Sequence, residues 1–182
     1  MKRNYPLSKA YGLLEPGPVV MLTTAANGRP NVMTQSWHMM VDFEPPIVAC
    51  VVSNRNFTFD ILRKTKECAI NIPTVEIAKQ TVGCGNVSGR SVDKFKKFRL
   101  TPMAASRIAA PLIDECYANL ECKVIDERWA DEYNLFILEV LKAWVDKAWI
   151  DSSRKHPRTI HHLGWGRFMV AGKTIKLPSK MK

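Results

Sequence analysis

No apolar run in this 182-residue chain approaches the roughly 18 residues needed to span a bilayer. Behind the basic start Met1-Lys2-Arg3 there is no apolar stretch, so no signal peptide is expected and a cytoplasmic location is the default. The five cysteines (Cys50, Cys68, Cys84, Cys116 and Cys122) are odd in number and scattered. No CxxC and no zinc-like Cys/His spacing occurs, so free thiols are expected rather than a disulfide framework or a metal site. Adjacent histidines on a strand face opposite ways, which makes His161 and His162 a poor metal pair. Both phosphate-cradling patterns, GxxxxGK[ST] and GxGxxG, are missing. So are the usual nucleic-acid motifs. Without repeats, low-complexity tracts or a linker, residues 1–182 are expected to form one domain.

What is present is ordinary in bulk and unbalanced in charge. Hydrophobic residues make up 46% and charged residues 24%. Lys and Arg number 27 against 17 Asp and Glu, a net charge of +10 that favours anionic partners. The basic residues are spread out, densest at Lys94–Arg99 and near the C-terminus, and a solvated face is the simplest reading.

Val19–Ala25 is β-rich and runs into Asn27-Gly28, the strongest short hairpin signal, since a type I′ turn needs positive φ at both central residues. The second arm is expected from Asn31 to about Phe43, stopped by Pro45-Pro46. Ile47–Val52 suits a strand buried on both faces. A helix follows, with Asn56 at its N-cap and Phe57, Ile61 and Leu62 on its apolar stripe. Cys68–Ile72 reads as a strand and Val75–Val82 as a helix with Thr74 before it. Gly83–Gly89 reads as a glycine-rich loop, and Val92–Phe98 as a short helix. Tyr117–Asp126 alternates, with Ala118, Leu120, Cys122 and Val124 on one face and Asn119, Glu121 and Lys123 on the other. Leu135–Val145 completes a hairpin, and Leu163–Leu177 holds one more short strand. Trp144 and Trp149 are read as core or interface. Helices do not separate the strands regularly, so a mainly β, antiparallel barrel with flanking helices is expected over a parallel sheet.

Three segments offer chemistry. In Asn31–Trp37 the consecutive polar residues Thr34, Gln35 and Ser36 stand beside Trp37. The residues alone leave open an amphipathic strand or an irregular one whose amides meet a planar polar ring. Ser53–Thr58 joins a buried strand to a helix start, where free N–H groups and Arg55 suit a phosphate, and simple capping is the alternative. In Cys84–Arg90 the glycines permit close backbone approach to a ligand. Cys84 is read as a packing or lining residue, because nothing near it in sequence would lower its pKa.

Taken in order, these segments resemble the flavin reductase-like, FMN-binding split-barrel family, and within it the flavoredoxin group. The residues that carry the resemblance are Pro18-Val19-Val20 with Thr23-Thr24, Asn31–Trp37, Pro45-Pro46 and Ser53–Thr58. They continue with Cys84-Gly85, Ser88-Gly89, the stretch Phe95 to Thr101, Glu115-Cys116 and Glu121-Cys122. The resemblance implies an antiparallel Greek-key split β-barrel, a homodimer, and non-covalently bound FMN as an electron-transferring cofactor. It implies that Asn31, Met33, Thr34, Gln35, Ser36 and Trp37 line the isoalloxazine and ribityl chain. Ser53, Arg55 and Thr58 would hold the phosphate, Ser88 and Lys94 would close the other side, and Phe168 would cover the ring. Many NAD(P)H-using members carry Gly-Asp-His before the last long strand. Here Ala130-Asp131-Glu132 keeps the Asp and lacks the His. The implied function is a flavin-dependent oxidoreductase using NAD(P)H or a redox partner protein. The alternatives are an FMN electron carrier that does not use NAD(P)H and a basic binding module without flavin.

Overall fold

The computed structural model describes residues 6, 11–14, 17–147, 156–175 and 177; Trp149 lies outside these. Strand β1 (Val20–Ala26) turns through Asn27 (φ 53°) and Gly28 (φ 72°) into β2 (Arg29–Gln35), the positive-φ pair that the Asn-Gly signal demands. The next strands are β3 (His38–Phe43), β4 (Pro46–Val51), β5 (Glu67–Ile72), β6 (Pro102–Met103), β7 (Leu112–Ile113), β8 (Ala118–Asp126) and β9 (Leu135–Val145). Seven of them form one antiparallel sheet in the order β2-β1-β5-β8-β9-β4-β3.

The expected arm from Asn31 to Phe43 is in fact two strands. It breaks at Ser36-Trp37, and its halves lie at opposite edges of the sheet. Two residues cannot cross a flat seven-stranded sheet whose neighbours stand about 4.8 Å apart. The sheet therefore curls until its edges meet, making a barrel split between β2 and β3. The seam is stitched locally. Val51 N–H donates to the Trp37 carbonyl at 3.0 Å. The Gln35 amide nitrogen, oriented to satisfy its neighbours, donates to the carbonyls of Val51 (3.2 Å) and Trp37 (3.1 Å).

Alternate residues fill the interior: Val20 and Leu22, Val48 and Cys50, Cys68 and Ile70, Cys122 and Val124, Phe136 and Leu138. Helix α1 (Tyr11–Leu14) precedes the barrel, and α2 (Phe57–Thr65) adds Phe59 and Leu62 to it. The Phe59 ring meets Phe136 edge-on, with centroids 5.4 Å apart. On the outer face of β1 and β2, Met21 and Val32 pack with Cys84 of α3 (Ala78–Gly85) and Phe95 of α4 (Lys94–Phe98).

Helix α3 corrects the expectation that Gly83 to Gly89 is all loop. Gly83, Cys84 and Gly85 are helical. Their glycines serve close packing instead: a Cβ on Gly83 would sit 2.4 Å from the Phe98 ring, and one on Gly85 3.3 Å from Thr34 Cβ. The expected helix from Val75 to Val82 is a 3-10 turn at Val75–Ile77 followed by α3.

The first half of β8 is buried on both faces, with Asn119 and Glu121 covered by the loop carrying β6 and β7, while Lys123 and Ile125 further along the same face are exposed. There Glu121 accepts from Trp144 Nε1 (2.7 Å), from Arg107 N (2.6 Å), and from the amide and hydroxyl of Ser106. Burial opposes its ionisation, but these donors prevail and hold its carboxyl below the usual glutamate range. Trp144 is thus a partly exposed anchor for Glu121. Helix α5 (Ala130–Tyr133) occupies the β8–β9 connection. In the tail, β10 (Ile160–His162) and β11 (Phe168–Val170) form a hairpin. Val19 N donates to the Ile160 carbonyl at 2.8 Å, which docks the hairpin beside the start of β1. No helix among the described residues is long and apolar enough to cross a membrane.

Candidate functional site

A cleft opens where the barrel seam, the start of α2, the end of α3 and the tail hairpin converge. It has two lobes of about 260 Å³ and about 560 Å³ that share Met33, Thr34, Asn56, Gly85 and Asn86. All twelve residues singled out from the sequence lie along its walls. Asn31, Arg55, Thr58, Ser88 and Lys94 line the smaller lobe. Gln35, Ser36, Trp37, Ser53 and Phe168 line the larger, and Met33 and Thr34 line both. Ser53, grouped by resemblance with Arg55 and Thr58, stands apart from them in the larger lobe. Its hydroxyl accepts the Arg55 N–H at 3.3 Å and shapes the loop into α2.

The smaller lobe is polar and electropositive. Asn31 on β2 is buried and donates through Nδ2 to Thr58 Oγ1 at 2.9 Å, while its Oδ1 is buried without a partner among the described residues. A buried acceptor left unpaired costs about 1–3 kcal/mol, so it suits a ligand hydroxyl or N–H. A Cβ on Gly89 would fall 2.0 Å from that same oxygen, so only glycine leaves this cradle open. The Gly89 loop is tied down on both sides. Arg29 Nη2 donates to the Gly89 carbonyl (2.9 Å), and Arg90 pairs with Asp60 on α2 (2.5 Å) while lying over the Phe57 ring. Asn56 holds the N-cap position of α2 with extended backbone and makes no side-chain cap bond. The positive end of α2 therefore meets the lobe without a side-chain capping oxygen, although the Phe59 N–H donates to the Asn56 carbonyl at 3.1 Å.

Lys94 is the most informative residue here. It is 6% exposed, and its Nζ donates to the Cys84 carbonyl at 2.8 Å. It has no carboxylate partner among the described residues. Burial pushes its ammonium below the usual lysine range. Among the described residues, no Asp or Glu lines either lobe. A buried cation in a wall free of acids is arranged for an anion that comes from outside the chain. Cys84 in the same wall has its thiol pushed up to about 11 by burial, with Lys94 opposing weakly, so it is a protonated lining residue and not a nucleophile.

The larger lobe is apolar and aromatic. Val19, Val51 and Val82 form part of its wall, Trp37 stands half-exposed at the seam, and Phe168 packs on His162 with ring centroids 5.1 Å apart. Two polar lining residues not singled out from the sequence come from far along the chain. Asn134, in the left-handed conformation after α5, accepts Asn54 N through Oδ1 (2.8 Å) and Val52 N through its carbonyl (2.9 Å). Its place after a helix marks a C-cap, but nothing local foretells a contact 80 residues away. His162 reaches the lobe through the tail hairpin, a pairing with no sequence signature of its own. Asp131, by contrast, turns to solvent and pairs with Arg63 at 2.6 Å.

Residues 13–160 match the sequence profile of the "Flavin reductase like domain". The uncharacterized protein YddH of Escherichia coli K12 is 34% identical over 188 residues, covering 96% of this chain and 98% of that protein. Among solved structures, the FMN-binding domain of a flavin reductases-like enzyme from Shewanella baltica OS155 superposes with TM-score 0.83 at 28% identity, covering 96% of each chain. The flavoredoxin of Desulfovibrio vulgaris (Miyazaki F) shares the fold, with TM-score 0.86 at 23% identity over 100% of this chain and 99% of its own. The profile match over residues 13–160, most of the length, identifies the chain as a member of the flavin reductase-like domain family.

Proposed function

We propose that this chain binds FMN non-covalently in the two-lobed cleft and works as an oxidoreductase that passes electrons through it. The observation that carries the reading is the buried Lys94 without a carboxylate, set with Arg55 and the uncapped start of α2 in a wall free of acids. An aromatic, apolar lobe adjoins it. The pair suits a planar ring joined to a phosphate, and lobes of this size fall at or near the range of about 300–1,000 Å³ usual for small-ligand clefts.

When bound, FMN supplies the redox chemistry; the protein supplies binding, orientation and electrostatics. Arg55, Thr58, Ser88 and the α2 amides hold the phosphate end, with Ser53 shaping their loop. Lys94 brings positive charge to the ligand from the far side. Asn31 Oδ1 accepts from a ligand hydroxyl or ring N–H. Met33 to Trp37 back the ring along the seam, and Phe168 covers it from the tail. A second copy of the chain covers β3, an edge strand that exposes Met39, Met40, Val41 and Phe43 beside Trp37.

A second reading is an electron carrier served by a protein donor. It is favoured by the turn before β9, which gives the cleft an Asn134 and no His while Asp131 faces solvent. Anaerobic mixing of the FMN-loaded protein with NADH or NADPH separates the two. Bleaching of the flavin absorbance supports the reductase. Bleaching only by a reduced ferredoxin-type protein supports the carrier. A colourless protein that takes up no FMN contradicts both.

A further inference from the structure

Among the described residues that line the larger lobe, His162 is the one ionisable side chain. The other described lining residues are apolar or neutral, among them Val19 before β1, Met33 on β2, Trp37 at the seam, Val82 on α3 and Phe168 on β11. Strand β11, packed against His162, presents only Phe168, Met169 and Val170. His161 is on the opposite face of β10, with Nε2 3.1 Å from Thr159 Oγ1; Arg167 is exposed in the turn; Arg55 and Lys94 belong to the other lobe. His162 is half-buried, and its ring is held against Phe168 at 5.1 Å.

Resting on the FMN reading above, we infer that His162 is the proton-holding group of the flavin lobe, binding a proton more tightly when the cofactor is reduced and handing it to the electron acceptor. The physical reason is proximity. Two-electron reduction would add negative charge to a ring lying in this lobe, and among the described lining residues the His162 imidazole is the side chain that can answer it by holding a proton. The balance is simple. FMN, when bound and reduced, would supply a hydride (two electrons and one proton); His162 would give its N–H proton to the acceptor oxygen that becomes anionic, so that the acceptor gains two electrons and two protons and the neutral imidazole recovers its proton from water. The acceptor class that uses this step is a planar conjugated carbonyl compound such as a quinone, which also suits a wall formed by Trp37 and Phe168.

The test reads the imidazole signals of the FMN-loaded full chain by NMR against pH, first oxidised and then reduced with dithionite, with His162 assigned as the signal missing in His162→Gln. The expected result is proton binding at His162 that is about tenfold or more tighter in the reduced state. By linkage, the midpoint potential of wild type should vary more steeply with pH than that of His162→Gln across the same window. His161→Gln should keep the effect; should His162→Gln not fold, the variants at His38, His156 and His161 assign His162 by elimination. A proton affinity equal in the two redox states, with FMN bound, overturns the inference and leaves the FMN reading standing. Failure of wild type to take up FMN overturns both.

Discussion

Replacing Lys94 by methionine keeps most of the side-chain volume in its buried slot and removes only the charge and its N–H groups. In the protein without ligand, two effects oppose each other. The bond from Nζ to the Cys84 carbonyl is lost, at about 1 kcal/mol. An ammonium that burial already pushes below the usual lysine range no longer has to be kept out of water. The net change in stability should therefore stay within about 1 kcal/mol. Toward FMN the effects do not cancel. A hydrogen bond between charged groups contributes about 1.5–3 kcal/mol, so affinity should fall by about 10- to 150-fold. The pH dependence has a definite sign. Because the folded state binds the Lys94 proton less tightly than the unfolded chain does, stability of the ligand-free protein should rise with pH from the lowered value up to the ordinary one near about 10.4. Bound phosphate favours the ammonium and should shrink that gain, and FMN affinity should fall as pH climbs through the window. Lys94→Met should flatten both trends. Quenching of flavin fluorescence at several pH values, paired with urea melts, measures all of this. The reasoning is refuted if the variant binds FMN within about threefold of wild type, or if it loses more than about 3 kcal/mol without ligand, which would make Lys94 a structural residue.

Three further outcomes are expected. Asn31→Ala and Thr58→Ala should each weaken FMN binding by about tenfold while thermal melts still show a folded barrel; unchanged affinity in both would place the site elsewhere. Gly83→Ala should destabilise by about 1–2 kcal/mol in urea melts, since a clash at 2.4 Å with the Phe98 ring outweighs the roughly 1 kcal/mol that alanine gains in helix propensity. Glu121→Gln should cost about 2–3 kcal/mol by weakening the acceptor shared by Ser106, Arg107 and Trp144. Glu121 has a depressed folded pKa, so its contribution is whole above about 4.3 and is lost as pH falls toward the folded value; the variant should lack that part of the acid limb.

The parts of the fold written in local chemistry were legible. Asn27-Gly28 needs positive φ, and the structure bends there. The apolar run at 47–52 became β4, buried on both faces, and the β-rich run at 135–145 became β9, which buries Phe136 and Leu138 on its core side. What stayed hidden was set by packing between distant segments. Nothing near Ser36-Trp37 marks the point where one apparent arm becomes the two opposite edges of the sheet. Gly83 and Gly85 read as loop residues, whereas Phe98 and Thr34 demand their missing side chains from within a helix. Glu121 looked like the polar half of an alternating strand, and its burial depends on a loop folding over it. The cleft follows the same division. The twelve candidates lie on three contiguous segments and the tail, so their convergence was within reach of the sequence. The cradle of Gly89 around Asn31, and the reach of Asn134 and His162, arise only in three dimensions.

FMN binding is the claim on which the rest depends, and titrating FMN into the purified full chain while following flavin fluorescence and the visible spectrum tests it most directly. Saturable quenching at one FMN per chain, with a shifted visible band and weaker binding in Lys94→Met, is the predicted result. Fluorescence that stays that of free FMN at every protein concentration, in a protein that purifies colourless, would contradict it.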